Sequence, residues 1–294
     1  MAHQAPTVSV HWLADHLHDS DLVVVDSTSH LSMPAEGPYR VESGRSTYEA
    51  EHVPGAVFAD LLDDFADTSA PAPWTVPSSE KFAASAGALG IGRGRRVVVY
   101  SQHSTMWATR LWWQLRLEGF DDAVVLDGGL EAWKAAGQPT TDEPSVPSPT
   151  VFTPRRRPEL LRSTEQVEGA LGDDRTLLVN VLDPATYRGD KHTYARDGHI
   201  PGSINLPVSE VFDERGEFRP TDELRAIFDR AGLLDPGVTP VTYCGGGIAA
   251  TGVAHALALV GREDAAVYDG SMTAWAADDS LPLVTGDEPG GGRG

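Results

Sequence analysis

The chain has 294 residues, more than one hydrophobic core usually holds, so two domains are expected. It is 40% apolar and 22% charged, with no run approaching the roughly 20 apolar residues that cross a bilayer, which argues against a helical membrane protein. Acidic residues outnumber basic ones 43 to 23, and the resulting net charge of −20 repels phosphate backbones and anionic headgroups, so neither nucleic acid nor a membrane is an expected partner.

The first ten residues, MAHQAPTVSV, lack the basic start and apolar run of a secretory signal. With a lone cysteine, which fits a reducing location, they point to the cytoplasm. In chain order, 10–17 reads as a helix, 22–26 as a buried strand and 79–89 as a helix. A strand at 97–100 and a helix at 106–118 follow. In that helix Met106, Trp107, Leu111, Trp112 and Leu115 share one packing face. The half closes on a strand at 124–126. In 138–158 the prolines at 139, 144, 147, 149, 154 and 158 forbid regular structure and favour an extended spacer. Beyond it, Ser163-Thr164-Glu165-Gln166 is a capping box that opens a helix. Strands are expected at 177–181, 241–243 and 265–268, with helices at 221–231 and 249–259. Alternating strands and helices indicate an α/β fold built on parallel sheets.

The two halves repeat each other. His52-Val53-Pro54-Gly55 returns as His199-Ile200-Pro201-Gly202, Val99-Tyr100-Ser101 as Thr242-Tyr243-Cys244, and Asp127-Gly128-Gly129 with Trp133 as Asp269-Gly270-Ser271 with Trp275. The expected layout is 1–140, a linker at 141–158, a second domain at 159–286 and a flexible tail at 287–294. His52 and His199 read as structural residues of Pro-Gly turns. The ten histidines show no metal-ligand spacing, so no metal is expected.

Cys244 closes the strand 241–243 and is followed by Gly245-Gly246-Gly247 and a small-residue helix. Ligands of open α/β sheets bind at the carboxyl ends of strands. A free cysteine is often inert packing, but packing needs no glycine run. Glycines that curl with positive φ can aim several N–H groups at one anion, and the next helix adds its positive end. Such a cradle favours a thiolate nucleophile. A cysteine-dependent phosphatase would need an arginine six positions on, where Ala250 stands, and a nucleotide loop would need Lys-Ser or Lys-Thr after the glycines.

With the tandem arrangement, the two His-x-Pro-Gly segments, the Asp-Gly plus Trp segments and CGGGIA at the strand end, the chain resembles the two-domain rhodaneses, the thiosulfate and 3-mercaptopyruvate sulfurtransferases. The resemblance runs from about Val10 to Val284. It implies two tandem rhodanese-like domains, each a central parallel β-sheet flanked by helices, the first catalytically silent with Ser101 in the nucleophile's place. It also implies a ping-pong cycle in which Cys244, without a metal or other cofactor, takes sulfur from a small anionic donor and passes it to a thiophilic acceptor, such as cyanide or a thiol, a protein thiol included. The implied substrate-binding residues are Gly245, Gly246, Gly247, Ile248 and Ala249 of the loop, with Arg188 and Arg196 as the nearest cations for the donor.

The departures from the family bear on the donor. Thiosulfate enzymes carry basic loop residues where this chain has Gly245 and Gly246. Mercaptopyruvate enzymes carry a loop serine where it has Gly246, and a family arginine aligns with Thr186. These departures support a second reading, a scaffold or sulfur carrier loaded by a partner protein.

Overall fold

The computed structural model describes residues 5–32 and 40–290. The chain divides into two compact units, Met1–Arg157 with Glu214–Glu217, and Pro158–Asp213 with Phe218–Gly294.

The first unit runs β1 (Thr7–Val8), α1 (Val10–His16), β2 (Leu22–Asp26), β3 (Ser29–Ser32), β4 (Arg40–Ser43), α2 (Arg45–Ala50), β5 (Val57–Phe58), α3 (Ser79–Ala88), β6 (Arg96–Tyr100), α4 (Met106–Leu117), β7 (Ala123–Leu126) and α5 (Gly129–Ala135). Its main sheet has the order β1-β7-β6-β2-β5, with every pair parallel. Continuous valine runs in β2 and β6 suit strands covered on both faces. Strands β3 and β4 form a separate antiparallel pair.

The second unit runs β8 (Leu161–Arg162), α6 (Thr164–Gly169), β9 (Thr176–Asn180), α7 (Pro184–Arg188), β10 (Ile204–Asn205), α8 (Thr221–Arg230), β11 (Thr239–Tyr243), α9 (Ile248–Leu259), β12 (Ala266–Tyr268) and α10 (Ser271–Trp275). Read from β8, its parallel sheet is β8-β12-β11-β9-β10, the same order as in the first unit. Both fold as parallel sheets flanked by helices. The capping box at Ser163 forms, its hydroxyl taking the Gln166 N–H while the Gln166 side chain takes the Ser163 N–H.

The repeated motifs are structural in both units. Tyr48 stacks on His52 at 4.1 Å between ring centroids, and Tyr187 on His199 at 3.6 Å. Each histidine bonds the carbonyl of its tyrosine, and each tyrosine hydroxyl donates onward, to Ala56 O or Ser203 O. Trp133 and Trp275 are fully buried, and their indole N–H groups reach Pro139 O and Pro282 O at 2.7 and 2.8 Å. Buried indoles need such partners.

The proline-rich segment 141–158 is extended but docked on the first unit. Thr150 N–H donates to Gly87 O, Phe152 packs against Phe82, and Arg157 pairs in bidentate fashion with Asp121. Arg156 holds the buried carboxylate of Glu118 at 3.0 Å. Of the segment 287–294, residues 291–294 lie outside the described residues, while Pro289 O accepts from Gly202 N–H. No helix among the described residues is long and apolar enough to cross a membrane.

Candidate active site

Strand β11 lies inside its sheet between β9 and β12, so its carboxyl end delivers Cys244 to the edge where α/β sheets bind ligands. Tyr243 anchors that end. Its hydroxyl accepts from Ile200 N–H and lies 2.6 Å from Ser203 Oγ, and burial pushes the phenol well above its ordinary range, so it stays neutral. Cys244 is 3% exposed. Its peptide is held on both sides: the N–H donates to Ser271 Oγ at 3.1 Å and the carbonyl accepts from Met272 N–H at 3.0 Å. Gly245 O accepts from Thr273 N–H at 2.9 Å. Three residues of α10 thus fix the first two loop positions.

Gly247 is the N-cap of α9, at φ 79°, and no side chain caps that end. The first N–H groups of a helix have no intrahelical acceptor, and the dipole places about half a positive charge there. Those groups belong to Ile248, Ala249 and their neighbours, a few residues from Cys244. The expectation that all three glycines curl with positive φ holds only for Gly247. At Gly245 a Cβ would meet Tyr194 Oη and lie 3.2 Å from its Cζ, so a side chain there would require the tyrosine to shift. Gly245, Gly246 and Ala249 are half-buried, whereas Gly247 and Ile248 are buried.

The two arginines are engaged elsewhere. Arg196 Nε donates to Ala276 O at 3.0 Å, Nη1 to Leu281 O at 2.9 Å, and Nη2 to Trp275 O and Asp278 O. Four main-chain carbonyls suit a clamp on the turn after α10, not the donor contact expected of this residue. Arg188 ends α7, bonds Asp190 at 2.8 Å and pairs with Asp287 at 3.6 Å, so carboxylates already balance its charge. Thr186 is buried, its hydroxyl bound to Asp183.

Sequence reasoning missed Ser271 and Tyr194. Ser271 is fully buried at φ 48°, where its counterpart Gly129 lies at φ 59°. Only the change from glycine to serine in the duplicated Asp-Gly-x segment marked it. Tyr194 carried no such mark, because its contact with Gly245 spans a loop of irregular structure.

The equivalent position in the first unit is filled from within. Ser101 Oγ donates to Ser104 O and accepts from Ala108 N–H. Gln102, in the place of Gly245, takes Thr28 Oγ1 with its N–H and reaches Glu51 O and Asp26 with its amide side chain.

The geometry therefore matches a rhodanese-type arrangement, a buried cysteine at a strand end a few residues before a helix, in one of two like units. The rhodanese-like domain model matches residues 9–136 and again 163–278. The mitochondrial thiosulfate/3-mercaptopyruvate sulfurtransferase 1 of Arabidopsis thaliana is 31% identical over 95% of this chain and 78% of its own length. The thiosulfate sulfurtransferase of Cricetulus griseus is 34% identical over 94% of both chains. Among solved structures, SseA from Escherichia coli, described as a 3-mercaptopyruvate sulfotransferase, superposes with a TM-score of 0.78 at 30% identity over 91% of this chain and 99% of its own. The chain belongs to the two-domain rhodanese family, the thiosulfate/3-mercaptopyruvate sulfurtransferases.

Proposed function

We propose that this protein moves sulfane sulfur from thiosulfate or 3-mercaptopyruvate to a thiophilic acceptor, such as cyanide or a thiol, through a persulfide on Cys244. The thiolate Sγ attacks the outer sulfur of thiosulfate, an S–S bond forms to the enzyme, and the donor's S–S bond breaks with its electron pair leaving on sulfite. With 3-mercaptopyruvate the donor's C–S bond breaks instead, and the carbon takes a proton to give pyruvate. The acceptor's lone pair then attacks the terminal sulfur and Cys244 departs as thiolate. With thiosulfate oxidation and reduction balance between sulfur atoms, and with 3-mercaptopyruvate the electron pair of the broken C–S bond goes to the carbon that is protonated, so neither donor needs outside electrons.

The observation that carries this reading is the placement of Cys244 at the end of β11, with its peptide held by Ser271 and Met272 and the uncapped start of α9 a few residues on. Preorganised amides can stabilise the thiolate and then the persulfide anion. A reactive thiol of this kind is exposed to oxidative capping, which favours a reducing compartment, and we place the protein in the cytoplasm.

The test is mass spectrometry of purified protein mixed with each donor. Cys244 should gain the mass of one sulfur atom and lose it to cyanide as thiocyanate, and Cys244→Ser should do neither. The commitment of Arg188 and Arg196 to other partners favours a second reading, in which a protein persulfide loads Cys244. Loading by a cysteine desulfurase much faster than by either small donor would select it.

A further inference from the structure

We infer that the first unit carries a separate binding site, a groove at the sheet edge opposite Ser101, for a small phosphate monoester bearing a planar ring, the nucleoside monophosphate class. The groove measures about 500 Å³, within the range of small-molecule sites. Its walls are the turn before β6, the turn before β7 and the spacer at 152–155. Both turns enter the amino ends of their strands, whereas Ser101 follows the carboxyl end of β6. The spacer forms a wall because two turn glycines let it come close. A Cβ at Gly92 would lie 2.6 Å from Val151 O, and one at Gly119 2.6 Å from Arg155 O. Beside Gly94 the space stays open, with nothing within 4 Å of where its Cβ would stand.

Two arginines supply the recognition. Arg93 and Arg155 line the groove and are exposed, and among the described residues neither guanidinium has a hydrogen-bond or ion-pair partner. The neighbouring arginines are all engaged: Arg95 with Ser20 O, Arg96 with Asp19 and Asp21, Arg156 with Glu118, and Arg157 with Asp121. Asp121 also lines the groove, so Arg157 neutralises it there. Asp122 is the other lining carboxylate, and Arg93 and Arg155 against it leave a positive excess in a molecule of net charge −20. The negative end of α4 is muted, because Leu117 O and Glu118 O accept from Arg157 and Arg155 N–H. A guanidinium fork takes two oxygens, so a carboxylate would occupy one arginine, whereas the terminal oxygens of a phosphate monoester can engage both. Half-buried Phe120 joins the wall, its ring centroid 5.9 Å from that of Phe152, and offers a flat ring an apolar surface. Polynucleotides are repelled by the charge of the whole molecule.

The test is equilibrium dialysis of the full chain with adenosine monophosphate, adenosine and inorganic phosphate. The monophosphate should bind with a Kd of about 100 μM or tighter, and each of the other two at least about tenfold more weakly. Arg93→Ala combined with Arg155→Ala should weaken the monophosphate about tenfold or more. That variant should keep its melting temperature and the sulfur loading of Cys244, because neither side chain has a partner to lose. Asp122→Asn should tighten binding about threefold. Absence of monophosphate binding at millimolar concentration would overturn the inference, as would full affinity in the double variant or inorganic phosphate binding as tightly as the monophosphate.

Discussion

Ser271 carries a left-handed backbone that its counterpart in the first unit gives to glycine. For a residue with a Cβ this conformation costs about 1–2 kcal/mol. The cost is offset by two buried hydrogen bonds, in which Oγ accepts from Cys244 N–H and donates to Tyr268 O. Ser271→Ala keeps the strain and loses both bonds, so it should destabilise the protein by about 1–3 kcal/mol and slow persulfide formation. Ser271→Gly relieves the strain and should recover much of the stability without recovering the rate. Thermal melts and the time course of adduct formation separate the two effects. At this scale the sequence reveals chemistry better than conformation. Cys244 stood out because a glycine run follows it, whereas the roles of Ser271 and Tyr194 depend on a φ angle and a through-space contact that no local pattern encodes.

Elements with enough residues to show a period were legible: β2, β6 and β11, and α1, α3, α4, α8 and α9, lie within two residues of their expected bounds. The strands β1, β5, β8 and β10 have two residues each, too few for any pattern, and tertiary pairing alone defines them. The spacer at 141–158 is extended as its prolines require, and its Arg156 pairs with Glu118, which is buried on the docking face. Arg156→Ala leaves that carboxylate without its ion pair. Because Arg156 is about a third exposed, the cost should be nearer about 2 kcal/mol than the full value for a buried pair, seen as a lower denaturant midpoint. Strand β2 supplies a pH test. Asp26, paired with Tyr100 as Asn180 is with Tyr243, has its carboxyl pushed up by burial, against the downward pull of hydrogen bonds from Thr28 and Gln102. A carboxyl raised in the folded state lends its stability below the unfolded value and loses it as pH climbs through the folded one. Asp26→Asn should therefore flatten the fall in melting temperature as pH climbs above the ordinary carboxylate range.

For the whole molecule, a net charge of −20 opposes the arrival of any anionic donor. Because salt screens that field, kcat/KM for thiosulfate should rise about twofold or more between roughly 10 and 150 mM ionic strength, where the Debye length falls to about 8 Å. A flat or falling profile in stopped-flow measurements would show that local dipoles outweigh the global field. Like strand orders in the two sheets make the chain its own control. Gln102 has already closed the first unit's equivalent of the loop, with its amide reaching Asp26 and the Glu51 carbonyl. Ser101→Cys on its own should therefore install a dormant thiol that takes no sulfur from either donor. A reactive thiol in the first unit would therefore take at least two changes, one to supply the sulfur and one to clear Gln102 from its place.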